Sequence, residues 1–242
     1  LDPTFGTGGI VLTDVDASND FVGCVSVQPD GRILAGGVRF DATASGKAIV
    51  MRYTSNGTLD NSFGTAGIRT LAMTAASHFV KGIALQSDGK IAVCGERWTG
   101  SVWQAYATRL NANGTDDAAF GNVQLDLAAG GEANATDMAL QGDGKIVVCG
   151  NGGNSANAGM FAVRLNSDGS FDTGFGIGGK VLLDQGGLDQ DKAWSVRVQA
   201  DGKILLGGLT YDDGGYDPAV VRLLPNGMLD SGFGTNGVVE IP

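Results

Sequence analysis

The stretch Leu59-Asp60-Asn61-Ser62-Phe63-Gly64-Thr65-Ala66-Gly67-Ile68 decides the fold, because the chain returns to it, varied but recognisable, five times. Phe-Gly stands at Phe5, Phe63, Phe120, Phe175 and Phe233, with spacings of 58, 57, 55 and 58 residues. Three residues before each phenylalanine is an aspartate: Asp2, Asp60, Asp117, Asp172 and Asp230. A second landmark is Val27-Gln28-Pro29-Asp30-Gly31-Arg32-Ile33-Leu34-Ala35-Gly36-Gly37. Its Asp-Gly recurs at Asp30, Asp88, Asp143 and Asp201, each two residues after Gln28, Gln86, Gln141 and Gln199. The third is a lone arginine at Arg52, Arg109, Arg164 and Arg222. Independent landmarks on one period of about 57 residues define an internal repeat. Its units fall at residues 1–58, 59–115, 116–170 and 171–228, with a partial fifth at 229–242.

Each unit reads as four short strands. Strand A follows the Phe-Gly turn (Gly9-Ile10-Val11-Leu12-Thr13), B precedes the glutamine (Cys24-Val25-Ser26-Val27), and C follows Asp-Gly (Arg32-Ile33-Leu34-Ala35). D carries the arginine (Ala48-Ile49-Val50-Met51-Arg52-Tyr53). Short β-branched runs bounded by Gly, Asn and Asp are strand signals, and no i, i+3, i+4 pattern lasts long enough for a helix. In Gln28-Pro29-Asp30-Gly31-Arg32 the proline sets φ for the first turn position, and Gly31 takes the left-handed conformation that closes a B–C hairpin. Asn56-Gly57, Asn113-Gly114, Asp168-Gly169 and Asn226-Gly227 reverse the chain after each D strand by the same logic. The repeated aspartate is expected to cap backbone N–H groups in the following turn. The phenylalanine, the one large aromatic in every unit, is expected to pack between successive units.

A four-stranded antiparallel unit cannot hide both faces alone, so neighbours must stack. The expectation is one all-β domain over residues 1–242: a β-propeller of four blades with four antiparallel strands each, in preference to a linear solenoid, whose repeats are shorter. Strands B, C and D occur four times, but A occurs five times, near residues 10–14, 68–72, 123–127, 180–184 and 237–241. One terminal copy is surplus, from a longer array or free to pair with another copy of the chain.

The Leu59–Ile68 and Val27–Gly37 patterns together resemble the bacterial delta-60 repeat, over nearly the whole chain. The resemblance implies a propeller within large secreted or surface proteins, and brings no catalytic residues with it. The third unit departs from the pattern, since Phe120-Gly121-Asn122-Val123 lacks the later glycine and is shortened.

Composition narrows the function. Of 242 residues 43% are hydrophobic, enough for a core, and the 41 glycines lie among Val, Ile and Leu without a collagen period. The net charge of −10 is wrong for a phosphate backbone, and no run is apolar enough to insert into a membrane as a helix. An acidic chain poor in lysine suits an extracellular or cell-surface setting. The chain opens at Leu1 with no basic or apolar leader, as a mature form or an excised piece would. Cys24, Cys94 and Cys149 make no disulfide framework. Cys94 and Cys149 stand where the matching runs have Gly36 and Gly207, and read as small core fillers.

Candidates for chemistry are few. His78 falls in an A–B connection without counterparts, reads as a surface loop residue and has no nucleophile elbow to serve. Gly174-Phe175-Gly176-Ile177-Gly178-Gly179-Lys180 imitates a phosphate loop, but Val181 follows and begins a strand, so it is a repeat turn. Asp14, Asp16 and Asp20 offer oxygens at alternate positions, as a calcium loop begins, but lack its later glycine and glutamate; Asp212, Asp213 and Asp217, and Asp184, Asp189 and Asp191, are further acidic groups. The favoured reading of all three is solvated acidic loops, with calcium the weaker alternative and no other cofactor expected. Each repeated arginine is expected to pair with the aspartate of its own turn, such as Arg52 with Asp60, rather than line a groove for acidic glycans. The repeated glutamines are expected to satisfy backbone groups beside the hairpin. Trp98, Trp103, Tyr211 and Tyr216, placed in C–D connections, are rim packing or a platform for sugar rings.

These observations point to a non-enzymatic exported structural or interaction module, self-assembling through its terminal strand. A propeller binding a glycan or a surface protein through its C–D loops is the alternative. A polysaccharide lyase or hydrolase is the third class.

Overall fold

The computed structural model describes residues 1–15, 19–74, 77–127, 131–154, 157–183, 191–212 and 215–241. Its sixteen strands form four four-stranded antiparallel sheets, the blades of a β-propeller. The first contains β1 (Asp20–Val27), β2 (Ile33–Phe40), β3 (Gly46–Tyr53) and β4 (Ile68–Thr70). The second contains β5 (Ser77–Leu85), β6 (Ile91–Trp98), β7 (Trp103–Leu110) and β8 (Asn122–Gln124). The third contains β9 (Glu132–Leu140), β10 (Ile146–Asn154), β11 (Asn157–Leu165) and β12 (Lys180–Leu183). The fourth contains β13 (Lys192–Val198), β14 (Ile204–Asp212), β15 (Gly215–Leu223) and β16 (Val238–Glu240).

The B–C turns have the expected chemistry: Gly31, Gly89, Gly144 and Gly202 all sit at φ between 82° and 84°. The B, C and D strands run longer than their sequence cores, and each B strand carries a bulge that shifts its register against C. The A strands pair with the D strand of the unit before them, as β3 with β4 and β7 with β8. Each sheet therefore straddles a repeat boundary. The cause is local: after Arg52 the chain reverses at Asn56-Gly57, and Asp60 N–H donates to the Arg52 carbonyl at 2.8 Å. That closure returns the chain beside the strand it has just left.

The surplus A copy is the first. Residues 9–13 belong to no sheet, and only an isolated bridge links Thr7 to Ile10. Val11 covers the outward cluster of Ala35, Ile49 and Met51 on the first blade, Thr13 Oγ1 lies 2.8 Å from the Tyr53 hydroxyl, and Leu12 is exposed.

The main core lies between the sheets. β5 rests on β1, β2 and β3, β9 on the second blade, and β13 on the third. One apolar layer joins Leu34 and Val50 to Val80, Ile91 and Val93. The next joins Ala92, Cys94 and Ala107 to Ala135, Met138 and Phe161. The last joins Val147, Cys149 and Ala162 to Ala193, Val196 and Leu206. Among the described residues no such layer joins the fourth blade to the first. Val22 and Val25 on β1 are exposed, whereas Val80, Ala135 and Ala193 at the place of Val22, and Met138 and Val196 at the place of Val25, are buried on the later first strands.

This asymmetry predicts unequal costs for one substitution. Val25 is 67% exposed and Val196 is 0% exposed. Val25→Asp should change the urea stability by no more than about 0.5 kcal/mol, whereas Val196→Asp, which buries a carboxylate, should cost about 4 kcal/mol or prevent folding.

Candidate functional site

The repeated landmarks converge on one device at each junction between blades. Arg52, Arg109 and Arg164 are buried on the D strands, and each uses its guanidinium three ways. Nε donates to the Oδ2 of Asp60, Asp117 or Asp172, at 2.8, 2.8 and 2.7 Å. The guanidinium lies over the ring of Phe63, Phe120 or Phe175, 4.8, 4.8 and 4.6 Å from the centroid. Nη1 crosses to the next blade and donates to the carbonyl of Ala112, Ser167 or Pro225. A planar fork with donors on several edges can do this; a lysine ammonium cannot.

The aspartates divide their oxygens. Oδ1 accepts the backbone N–H two residues on, at Ser62, Ala119, Gly174 and Gly232, while Oδ2 takes the arginine. A second cation, absent from the sequence expectations, joins them: Arg32, Lys90, Lys145 and Lys203 lie 3.1, 2.9, 3.0 and 3.0 Å from Asp60, Asp117, Asp172 and Asp230. Its signal was the cationic residue directly after every Asp-Gly. The glutamines also differ from expectation. Gln86 and Gln141 accept from Nη1 of Arg109 and Arg164 rather than serving the backbone, since the hairpin turns already close their own hydrogen bonds. In the two end blades, Oε1 of Gln28 and Gln199 is buried without a partner among the described residues.

These contacts hold the carboxylates ionised. The Ser62 hydroxyl foremost, with the Ser62 N–H and Arg52, lowers the Asp60 pKa to about 2 against the pull of burial. Hydrogen bonds from Lys90 and Lys203 lead the lowering at Asp117 and Asp230. At Asp172 burial pushes the other way and is outweighed by Lys145, Gly174 and Arg164.

The Phe-Gly corner completes the junction. Gly64 and Gly176 N–H donate to the carbonyls of Asn113 and Asn226 on the next blade's turn, both at 2.8 Å. Gly114, at φ 84°, must be glycine twice over, because a Cβ there would meet Gly64 N at 2.8 Å and the Phe63 ring at 2.9 Å. The shortened third corner differs: Gly121 N–H turns back to the Asp117 carbonyl, although Phe120 still covers Gly169. The two ends of the array complete the pattern unequally. Phe5-Gly6 sits on the first blade's turn, with Gly6 N–H donating to Asn56 O at 2.8 Å. Arg222 keeps Asp230 and the Phe233 ring, but its side chain is 20% exposed, against 6–8% for the other three.

The remaining candidates scatter. His78 is not in a loop: it sits on β5, 1% exposed, with Nε2 3.3 Å from the Leu71 carbonyl, because that first strand begins earlier than its apolar core suggests. Burial lowers its pKa. Burial likewise pushes the thiols of Cys24 and Cys149 up to about 12. Gly176, Gly178 and Gly179 form the expected repeat turn, and Lys180 opens β12 with its ammonium over the Phe171 ring. Asp16, Asp184, Asp189 and Asp213 lie outside the described residues. Asp20 Oδ2 accepts from Val15 N–H at 2.8 Å, and Asp191 from Tyr211 N–H at 2.9 Å. Among the described residues no group of three metal-ligating side chains assembles.

Trp98 and Trp103, like Tyr211 and Tyr216, lie within paired strands instead of in the connections, and face each other across hairpins at 5.4 and 4.9 Å between centroids. The tryptophans end a row of rings, Phe21, Phe40, Phe79, Trp103 and Trp98, with successive centroids 6.2, 6.1, 5.6 and 5.4 Å apart. A shallow cavity of about 310 Å³ opens beside Phe21, Phe40, Phe79 and Lys81.

Removing an arginine that ties two blades should cost more than removing one at the end. Arg109→Ala is expected to lose about 3 kcal/mol of stability and Arg222→Ala about 1 kcal/mol, read from denaturant midpoints. Acid should act on the same network. The aspartates are more acidic folded than their unfolded value of about 3.9, so their stabilisation is complete above about pH 4 and is lost as pH falls towards 2. A melting temperature that held constant from pH 5 to pH 2 would contradict this.

The sequence model of the family described as "Domain of unknown function (DUF5122) beta-propeller" matches residues 28–63, 86–120, 141–175 and 199–233. Each match runs from the repeated glutamine to the phenylalanine of the next corner. No curated protein matches the sequence. Among solved structures, one titled as a protein of unknown function from Dyadobacter fermentans is similar at 13% identity and a TM-score of 0.52, over 88% of this chain. The chain spans 65% of that protein's length. A structure titled "Glycoside hydrolase" aligns at 12% identity over 84% of this chain and 45% of its own, with a TM-score of 0.42. With the family's repeat present four times over and more than half of the chain matched, the chain belongs to the DUF5122 β-propeller family.

Proposed function

We propose that this chain is a non-enzymatic interaction module of an exported protein, a rigid stack of blades that works by presenting surfaces, above all the faces of its first and fourth blades that no other described blade covers. One observation carries the reading: Val22 and Val25 are exposed on β1, where the later blades bury Val80, Ala135 and Ala193 at the first place and Met138 and Val196 at the second. An apolar strip of this kind marks an interaction site. The resemblance to delta-60 repeats and the acidic charge support export. The absence of chemistry is supported by where the reactive groups are committed: Asp60, Asp117, Asp172 and Asp230 each hold two cations, and His78 is buried against a backbone carbonyl. No cofactor is needed.

The row of rings ending at Trp98 favours a second reading, in which the same module stacks sugar rings of a glycan on its rim. Two measurements test the pair. The chain should release no reducing ends or unsaturated sugars from neutral or acidic polysaccharides, and cleavage would overturn the first reading. A dye that fluoresces on exposed apolar surface should bind the native chain, losing its signal in Val25→Asp and keeping it in Trp103→Ala. Binding on a glycan array that Trp103→Ala removes and Val25→Asp spares would put the second reading first.

A further inference from the structure

We propose that a second copy of this chain docks head to tail on the first blade, its Phe233-Gly234 corner taking the seat on the Ser55-Asn56-Gly57 turn that the molecule's own Phe5-Gly6 corner holds. This rests on the reading of the chain as an interaction module and names its partner.

The internal junctions are the template. Each has a giving side, with an arginine, a Phe-Gly corner and an apolar strip on β2 and β3 or their counterparts. Each has a receiving side, with a turn carbonyl and an apolar first strand. The fourth blade presents a giving side that no described residue covers. Leu205 and Val220 are half-buried there, where Leu34, Ala92 and Val147, and Val50, Ala107 and Ala162, are buried. Arg222 retains its aspartate and its ring, and among the described residues its Nη1 crosses to no carbonyl. The first blade ends in a receiving side. Ser55 holds the position of Ala112, Ser167 and Pro225, whose carbonyls accept the other three arginines. Phe21, Val22, Val25 and Val27 are exposed beside it. The two halves belong to one interface, and they are displayed at opposite ends of one molecule.

One element stands in the way. The first blade's turn is already seated: Gly6 N–H bonds Asn56 O, and Phe5 and Val11 lie over Gly57. The molecule has five Phe-Gly corners and four turns to receive them. Docking is therefore an exchange in which one corner leaves as an equivalent one enters, so corner contacts made and lost nearly cancel. The net gain is burial of the β1 side chains and the new bond from Arg222 to the Ser55 carbonyl. A charge of −10 on every copy opposes the approach, so salt should promote it. The contact is heterologous, and each added copy exposes the same two halves again, leading to a ring or a filament.

Sedimentation velocity over a concentration series in about 0.5 M salt tests this, with melting temperatures recorded to verify folding. Phe5→Ala and Phe233→Ala alter equivalent residues of one repeat, and exchange assigns them opposite effects. Phe5→Ala loosens the resident corner and should tighten self-association about tenfold, while Phe233→Ala weakens the entering corner and should loosen it about tenfold. Val25→Asp should abolish association. Mixed with Phe233→Ala, which keeps a sound receiving face, Val25→Asp should give a heterodimer that grows no further. Shifts of the same sign for Phe5→Ala and Phe233→Ala would overturn the proposal, as would a Phe5→Ala chain monomeric at every concentration. If that monomer still bound a glycan or another protein, the interaction reading would stand without this partner. Polysaccharide cleavage would remove that reading too.

Discussion

The guanidinium of the D-strand arginine is the interaction on which the architecture depends, because it belongs to two blades at once. Its Nε is fixed by the aspartate eight residues on, its face by the phenylalanine of the same corner, and its Nη1 reaches a backbone carbonyl of the next blade. A buried ion pair alone is weak evidence for stability, since desolvation offsets the attraction. What this one supplies is geometry. With the aspartate tied to a backbone N–H on one side and a lysine on the other, the arginine has one orientation left, and that orientation sets where the neighbouring turn must lie. Apolar layers between the sheets provide the bulk of the burial but are tolerant of sliding; the arginine fixes the register.

The turn that receives this arginine also receives the Phe-Gly corner, and this explains why the turns vary less than the strands. Position 114 needs a left-handed conformation and no side chain, because the corner's backbone and ring lie within contact of where a Cβ would be. Strand positions are free by comparison. The place filled by Gly36 in the first blade is Cys94 and Cys149 in the next two, each size matched by what the facing strand presents: a Cβ on Gly36 would strike Val80 and Ile83. The third corner shows how much variation the junction tolerates. It loses the corner N–H bond to the next turn, yet keeps the arginine, the ring and the aspartate.

The repeat, the strand number and the turns were legible because they are local: Asp-Gly and Asn-Gly need left-handed glycine wherever they occur, and their spacing counts the units. The blade frame was not, because a periodic sequence has the same period wherever the cut is placed. Only the pairing of Ile68–Thr70 with Ile49–Met51 chooses the cut. The pairing of Arg52 with Asp60 follows from a shared spacing and the cost of burying charge. The role of Gln86 is not legible locally, because its partner, Arg109, lies 23 residues away on another strand, and a polar side chain beside a hairpin has a nearer answer in the backbone. His78 reads as a loop residue in the sequence because Ser77 and His78 break the apolar run. The strand continues through them because the ladder needs backbone alone, and the imidazole finds the Leu71 carbonyl.

A junction that repeats by translation along the chain cannot be satisfied at both ends by the blades it joins. Each internal blade gives an arginine, a corner and an apolar strip forward, and receives the same from behind, whereas among the described residues the first and fourth blades each keep one half uncovered. The first blade resolves half of its deficit with its own leading corner, Phe5-Gly6, which takes the place a preceding blade's corner would hold, seating on the turn but bringing no sheet to cover β1. The fourth resolves none of its deficit, and Arg222 shows it as raised exposure with its intrablade contacts intact. The two deficits are complementary in shape, hydrogen bonding and polarity because each is half of a contact the chain makes three times within itself. Surfaces that are complementary for this reason follow from the repeat itself, and the same rule that stacks the second blade on the first specifies what the end faces will accept.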